Sequence, residues 1–150
     1  MRLIDAAGDV LLGACCPACG SPALGVCAAC RLILSRAAPA VHHRLGLALP
    51  IWASLDYQGL VRRLIIAAKE QRRWDGLTTL AWLLAKAAAS AADELSLTGP
   101  GVLVPVPSAA SSVRRRGLDH MAAITRLSAS RLNQLGLNCR RGLWLDFAGR

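Results

Sequence analysis

Acidic side chains, aromatic side chains and long apolar runs are all scarce in this sequence. Asp and Glu account for nine of the 150 residues, whereas Lys and Arg account for eighteen, which gives a formal net charge of +9. This excess of positive charge suits a phosphorylated or polyanionic partner. Aromatic residues make up only 4%, and the four tryptophans are scattered, so the charge alone does not indicate a nucleic-acid site.

Apolar residues are nevertheless abundant, at 54% of the chain. Because aromatics are few, the core must be built mainly from Ala, Leu, Val and Ile. A chain of this length and composition can form one ordinary domain, or a domain with a small additional module. Wholesale disorder is not expected.

No run of eighteen apolar residues exists, so no transmembrane helix is predicted. Residues 12–15 resemble a lipoprotein cleavage site, but Asp5 and Asp9 precede them and the adjoining apolar run has only five residues. An export signal needs a longer apolar centre. We therefore expect a cytoplasmic protein.

Five of the six cysteines lie close together near the N-terminus, and four of them form two Cys-x-x-Cys pairs. Each pair can chelate an ion from one tight turn, and Zn²⁺ takes four thiolates in a tetrahedron. We predict a zinc site made by Cys16, Cys19, Cys27 and Cys30. Cys15 is excluded because it lacks the two-residue spacing to Cys19.

Other interpretations of the cysteines remain open. The two pairs could form disulfides or redox-active dithiols, although a cytosolic setting disfavours stable disulfides and a redox motif needs only one pair. The His42-His43 pair could supply a ligand if Cys30 did not, but the quartet is complete and these histidines are predicted to be exposed. A four-cysteine site is closed, so a structural role is expected.

Residues 101–120 are the most informative stretch of the chain. The apolar run Val102-Leu103-Val104 is bounded by turn-forming residues, which predicts a buried strand ending in a loop. Small residues follow, then Arg114-Arg115-Arg116 as a basic turn, and then a helix. A strand, a small-residue loop and a basic turn before a helix favour an anion site at a sheet edge. The alternative is a solubilising turn beside a structural strand.

Apolar periodicity predicts three helices. They begin at Gly59, at Leu77 and at about Leu118; the last ends at Leu135, with Gly136 as its C-cap. The other predicted segments are an amphipathic lead-in over residues 1–13, a connector over 31–49, and strands over 52–56 and 143–147.

Three residues outside these motifs are given no functional role. Arg63 and Arg73 fall on the polar side of the first helix, where a solvated basic face is expected. Cys139 stands apart from the other cysteines and is predicted to be a small buried apolar residue.

Four motifs follow one another along nearly the whole chain. After the two cysteine pairs, Tyr57-Gln58-Gly59-Leu60-Val61-Arg62 opens a helix that reaches Lys69. Val104-Pro105-Val106-Pro107 comes next, and then Arg115-Arg116-Gly117-Leu118-Asp119-His120. This order resembles the competence protein F (ComF) family of phosphoribosyltransferase-like proteins.

The resemblance implies an α/β fold: a zinc-ribbon-like N-terminal module, then the first part of a type I phosphoribosyltransferase-like, mostly parallel sheet with helices. The implied division is a zinc module at 1–35, a connector at 36–53 and a partial domain at 54–150. In this family a loop after an early strand helps to bind the pyrophosphate of phosphoribosyl pyrophosphate. The residues implied for that role are Pro105, Val106, Pro107, Ser108, Ser111, Arg115, Arg116 and Gly117.

Two departures from the family pattern matter. The family usually has an aromatic residue, Asn and Gln after the Arg-Gly, where this chain has Leu118, Asp119 and His120. It also carries a later strand with two acidic residues and a Thr-Thr-Gly type loop that bind the ribose phosphate, and no such segment occurs here. Thr78-Thr79 does not replace it, because Leu80 follows where glycine is needed. Either this is a fragment or truncated gene product, or the missing strands come from elsewhere. We expect the half sheet to make residues 1–150 alone marginally stable or oligomeric.

We therefore consider two functions. One is a ComF-like protein of DNA uptake or nucleotide metabolism that would bind phosphoribosyl pyrophosphate with Mg²⁺ only if a complete site exists. The other is a non-enzymatic zinc-binding adaptor that contacts single-stranded DNA or a DNA-uptake protein. No residue is predicted to be catalytic.

Overall fold

The structure is a computed structural model that describes residues 14–42 and 49–142. Its helices are α1 (Ala28–Ser35), α2 (Gly59–Glu70), α3 (Leu77–Glu94), α4 (Ala110–Arg116) and α5 (His120–Gln134). Its strands are β1 (Ala40–His42), β2 (Ile51–Ala53), β3 (Gly101–Leu103) and β4 (Cys139–Arg141). A single 3-10 turn, Trp74–Gly76, joins α2 to α3.

The three helices predicted from periodicity are confirmed as α2, α3 and α5. In α2 the buried side chains are Leu64, Ala67 and Ala68, which lie on one face at helical spacing. The 3-10 turn that separates α2 from α3 contains Asp75 and Gly76. Gly136 follows α5 with φ +84°, the left-handed conformation that glycine adopts easily after a helix.

Helices α3 and α5 pack closely because small residues lie between them. Ala81, Ala85 and Ala129 are all buried. Ser128 is fully buried, and its hydroxyl donates to the carbonyl of Ala81 at 2.9 Å and to that of Ile124 at 2.8 Å. Both hydroxyl contacts satisfy a polar group that would otherwise be costly inside the core.

Two small sheets flank the helices. Strands β1 and β2 pair antiparallel, with Val41 opposite Trp52. Strands β3 and β4 pair in parallel, with Gly101 opposite Cys139, and α4 and α5 lie between them in sequence. Cys139 is buried, as predicted. The prediction of a mixed α/β fold is confirmed at this level.

Several predicted segments were wrong in type or position. The connector over 31–49 contains the end of α1 and all of β1, and the basic turn Arg114–Arg116 is the last turn of α4. The strand predicted over 52–56 lies at Ile51–Ala53. The lead-in over 1–13, His43 and the strand over 143–147 lie outside the described residues.

Strand β3 is less buried than predicted. Val102 of β3 is 47% exposed, and beyond the strand Val104 and Val106 are 50% and 68% exposed. Parallel sheets are normally covered on both faces. In residues 14–42 and 49–142, one face of this pair packs on α3 and α5 through Leu103 and Cys139, whereas the valine face is open.

The N-terminal segment shares one core with the helices. Cys16, Val26 and Leu34 belong to the same buried cluster as Leu64 of α2 and Leu83 of α3. The implied division at residues 35 and 53 stays a prediction. None of the described helices combines the length and apolar character needed to cross a bilayer.

Replacing Gly76 by Ala tests this shared core. A Cβ at this position would lie 2.5 Å from Cδ1 of Leu64, whose side chain is fully buried in a close-packed core. We expect Gly76→Ala to lower the free energy of unfolding by about 1–3 kcal/mol, measured by urea denaturation. Gly99→Ala is the control, because a Cβ there meets nothing within 4 Å. Equal midpoints for the two variants would contradict this packing.

Candidate metal centre and basic segment

The four predicted zinc ligands meet at one point. The Sγ atoms of Cys16, Cys19, Cys27 and Cys30 all lie within 4.8 Å of one another, and those of Cys19 and Cys27 are 3.7 Å apart. A tetrahedral ion with Zn–S bonds of about 2.3 Å places its sulfurs about 3.8 Å apart. The cysteine cluster formed by these four residues therefore fits zinc in ligand type, number and spacing.

The first cysteine pair is presented by a tight hairpin. Cys15 and Pro22 form an antiparallel bridge, and the amide of Cys16 donates to the carbonyl of Ser21 at 2.8 Å. Gly20 has φ +82° and donates back to the carbonyl of Cys16 at 2.9 Å, which closes the turn. A side chain with a Cβ would be strained at this φ.

The second pair is presented by the start of α1. Cys27 is the N-cap of this helix, and its Sγ accepts from the amide of Cys30 at 3.5 Å. The amide of Cys27 in turn donates to Sγ of Cys16 at 3.4 Å. These N–H groups favour the thiolate form that a metal requires.

The surroundings change the thiol pKa values in opposite directions. Hydrogen bonds from Ser21 lower the pKa of Cys19 to about 6. Burial raises the pKa of Cys16, but backbone N–H donors, led by that of Cys27, outweigh burial and lower it. Burial and the neighbouring cysteines raise the pKa of Cys30. Four thiolates therefore need a cation among them, which Zn²⁺ supplies.

Cys15 and the histidines take no part in the cysteine cluster. Cys15 lies outside it, and its Sγ is 3.4 Å from Nη1 of Arg73. His42 is exposed on β1, as predicted, which leaves the four-cysteine set unchanged.

Two arginines from outside the cluster fasten the hairpin to α2. Nε of Arg63 donates to the carbonyl of Ala18 at 2.5 Å. Nη2 of Arg73 donates to the carbonyl of Cys15 and pairs with Asp75 at 2.7 Å, and this pairing raises the pKa of the guanidinium. The predicted solvated position is confirmed for Arg63, which is exposed, and was wrong for Arg73, which is half-buried beyond the end of α2. Their carbonyl partners lie 45 and 58 residues away, so no local pattern could have revealed them.

The predicted anion site falls on residues 104–120, which we call the basic segment. The loop before α4 is anchored by Ser108, whose hydroxyl donates to Oδ1 of Asp119 at 3.0 Å. The same carboxylate oxygen accepts from the amide of Ala122 at 3.1 Å and so caps α5. Asp119, one of the departures from the family pattern, thus fixes the loop against the next helix.

The other residues implied for this site are placed as follows. Pro105, Ser108 and Arg116 are half-buried, whereas Val106, Pro107, Ser111, Arg115 and Gly117 are exposed. Gly117 adopts φ +78° as the C-cap of α4.

Basic side chains from three helices converge beside α4. Nη1 of Arg116 lies 3.4 Å from Nδ1 of His120, and Nε of Arg116 is buried without a hydrogen-bond partner in the described residues. Burial lowers the pKa of His120, and the positive charges of Arg116 and Lys69 lower it further. Nη2 of Arg72 donates to the carbonyl of Arg115 at 2.5 Å. Sequence reasoning assigned no role here to Arg72, whose carbonyl partner is 43 residues away, or to His120, which lies four residues after Arg116.

No protein-family model, no curated protein and no solved structure matches this chain. The metal centre and the basic segment are therefore interpreted from their own chemistry.

Cys27→Ser should abolish stoichiometric zinc binding, because it removes one of four thiolate ligands while serine can still cap α1. We expect the purified chain to contain one zinc ion and the variant to bind zinc at least about 100-fold more weakly, measured by competition with a chromogenic chelator. Cys15→Ser is the matched control and should keep the ion. If Cys15→Ser releases zinc and Cys27→Ser does not, the ligand set is wrong.

Ser21→Ala should make zinc binding more sensitive to acid. The hydroxyl of Ser21 stabilises the Cys19 thiolate and lowers its pKa to about 6, so removing the hydroxyl raises that pKa. Protons then compete with the metal at a higher pH, and the pH of half-release should rise. Zinc release is measured while the pH is lowered from neutral. Ser35→Ala is the control, since the Ser35 hydroxyl donates to the carbonyl of Leu32 and does not belong to the cysteine cluster, and its release curve should match the parent's.

Proposed function

We propose that this chain is a zinc-stabilised, ComF-like protein whose basic segment binds the phosphates of a phosphoribosyl-type ligand. The observation that carries the proposal is the convergence of Lys69, Arg116 and His120 beside a loop that leaves the carboxyl end of β3. Arginine and histidine that lack acidic partners favour a phosphate group between them.

The position of the basic segment supports this proposal. Ligands of α/β proteins commonly bind outside the carboxyl ends of parallel strands, where loops lead into helices. Strand β3 is in parallel pairing with β4, and residues 104–109 lead from its carboxyl end into α4. The ComF-like order of motifs places its pyrophosphate loop at the same residues.

The local balance of charge also supports it. Two carboxylates lie near the converging basic groups: Glu70, which is 4.0 Å from Lys69, and Asp119, which is already occupied by Ser108 and the start of α5. Neither has a contact with Arg116 in the described residues. A bound phosphate would supply the acceptor that its buried Nε lacks.

Zinc would be held by Cys16, Cys19, Cys27 and Cys30 in a closed, four-thiolate site and would supply stability. Its role is to fix the hairpin and α1 onto α2 and α3. The reaction implied by the family is transfer of a ribosyl phosphate group with loss of pyrophosphate. The residues of the basic segment would bind and orient phosphates there, and none is assigned as an acid or base.

Pyrophosphate binding by the zinc-loaded chain tests this function. We expect Arg116→Gln to weaken binding about tenfold or more, measured by isothermal titration calorimetry, because a charge-assisted hydrogen bond is lost. Arg62→Gln removes the same charge from the exposed side of α2 and should leave the affinity within about twofold.

The non-enzymatic alternative gives a different result in the same experiment. An adaptor for nucleic acid would bind a single-stranded oligonucleotide with steep salt dependence and would bind pyrophosphate weakly. Weak pyrophosphate binding that is equal in Arg116→Gln and Arg62→Gln would overturn the phosphate site.

A further inference from the structure

A second basic concavity lies between α1, the start of α3 and α5. Its volume is about 260 Å³, and its wall includes Arg31, Thr78, Thr79, Trp82 and Arg131. We call it the Trp82 pocket. None of its lining residues belongs to the basic segment, so it is a separate site.

Two guanidinium groups give the pocket its charge. Arg31 lies on α1 and Arg131 on α5, and no Asp or Glu lines the pocket among the described residues. Nη1 of Arg31 donates to the carbonyl of Val26 at 2.6 Å, and Nη1 of Arg131 donates to Oε1 of Gln134 at 3.2 Å. Each guanidinium has five N–H donors, and most of them have no partner within residues 14–42 and 49–142, where an anion could accept them.

The start of α3 adds hydroxyl groups and a partial positive charge. Thr78 and Thr79 lie in the first turn of this 18-residue helix, which begins without a side-chain cap. The N-terminal end of a long helix favours negative charge, and threonine hydroxyls can donate to phosphate oxygens. The arginines and this helix end thus favour the same kind of ligand.

Trp82 supplies an aromatic surface at the same place. It lies one turn after Thr78 on α3 and is half-buried. Nζ of Lys86 is 4.8 Å from the centre of its ring and also donates to the carbonyl of Ser35 at 3.2 Å, which fixes the indole beside α1. An indole next to phosphate-binding groups suits a base that carries a phosphate.

We infer that the Trp82 pocket binds one phosphorylated nucleoside unit, either a free mononucleotide or one nucleotide of a single strand. The phosphate contacts Arg31, Arg131 and the threonine hydroxyls, and the base lies against Trp82. The volume is slightly below the roughly 300–1,000 Å³ of drug-sized ligand pockets, which fits a single nucleotide.

The test uses the zinc-loaded full chain and three probes: inorganic phosphate, adenosine monophosphate and a labelled single-stranded oligothymidylate. We expect adenosine monophosphate to bind more tightly than inorganic phosphate, because only the nucleotide contacts the indole. Arg131→Gln should weaken nucleotide binding about tenfold. Arg126→Gln removes the same charge from an exposed position on the same helix, outside the pocket, and should change the affinity less than about twofold.

Two further variants separate the parts of the site. Trp82→Leu should reduce the preference for the nucleotide over inorganic phosphate, and Thr79→Val should weaken both probes while conserving shape. Nucleotide binding is also measured in the Arg116→Gln background, where the phosphate site of the basic segment is weakened; Arg131→Gln should still lower the remaining affinity about tenfold there, so failure of the basic segment and failure of this pocket are distinguishable. Zinc content, measured for each variant, verifies that the metal centre is intact.

Two results would overturn the inference: a nucleotide that binds no more tightly than phosphate, or equal affinities in Arg131→Gln and Arg126→Gln. If the inference holds, the oligonucleotide probe shows whether the pocket binds a free mononucleotide or one nucleotide of a single strand. Binding at least about tenfold tighter than the mononucleotide, with steep salt dependence, assigns the pocket to single-stranded nucleic acid. Tighter binding of the mononucleotide assigns it to a free nucleotide.

Discussion

The contact between the cysteine hairpin and helices α2 and α3 is the constraint on which the rest of the structure depends. Leu64 is fully buried at this contact, and a Cβ on Gly76 would also approach Pro17 of the hairpin, at 3.7 Å from its Cγ. Arg63 and Arg73 donate to hairpin carbonyls from the other side. The cysteine cluster thus belongs to a segment whose apolar side chains complete the helical core, so the cluster and the core depend on each other.

The helices and the metal ligands could be predicted because their signals are local. Apolar periodicity places α2, α3 and α5 within a few residues, and the two Cys-x-x-Cys pairs define a tetrahedral set by spacing alone. Helix α1 was missed because it begins at Ala28, inside the second cysteine pair, where the sequence was interpreted as a metal knuckle and a connector. Helix α4 was missed because a seven-residue helix of Ala, Ser, Val and Arg is too short to show an apolar period.

The parts of the sites that could not be predicted are those made by tertiary packing. Arg72 adopts φ +55°, a conformation uncommon for a residue with a side chain, and reaches the carbonyl of Arg115, 43 residues away. The Trp82 pocket likewise joins Arg31 and Arg131, which are far apart in sequence. The composition shows the excess of positive charge only as a net value for the whole chain. Tertiary packing distributes that charge over two basic surfaces.

The parallel pairing of β3 with β4 has a consequence for synthesis of the chain. Gly101 pairs with Cys139, so β3 leaves the ribosome well before its partner exists. At about 5–20 residues per second, the gap lasts about two to eight seconds. During that interval β3 has no partner strand, and Arg114, Arg115 and Arg116 emerge soon after it. Charged residues next to an apolar strand oppose aggregation, so we expect the arginines to protect the nascent chain.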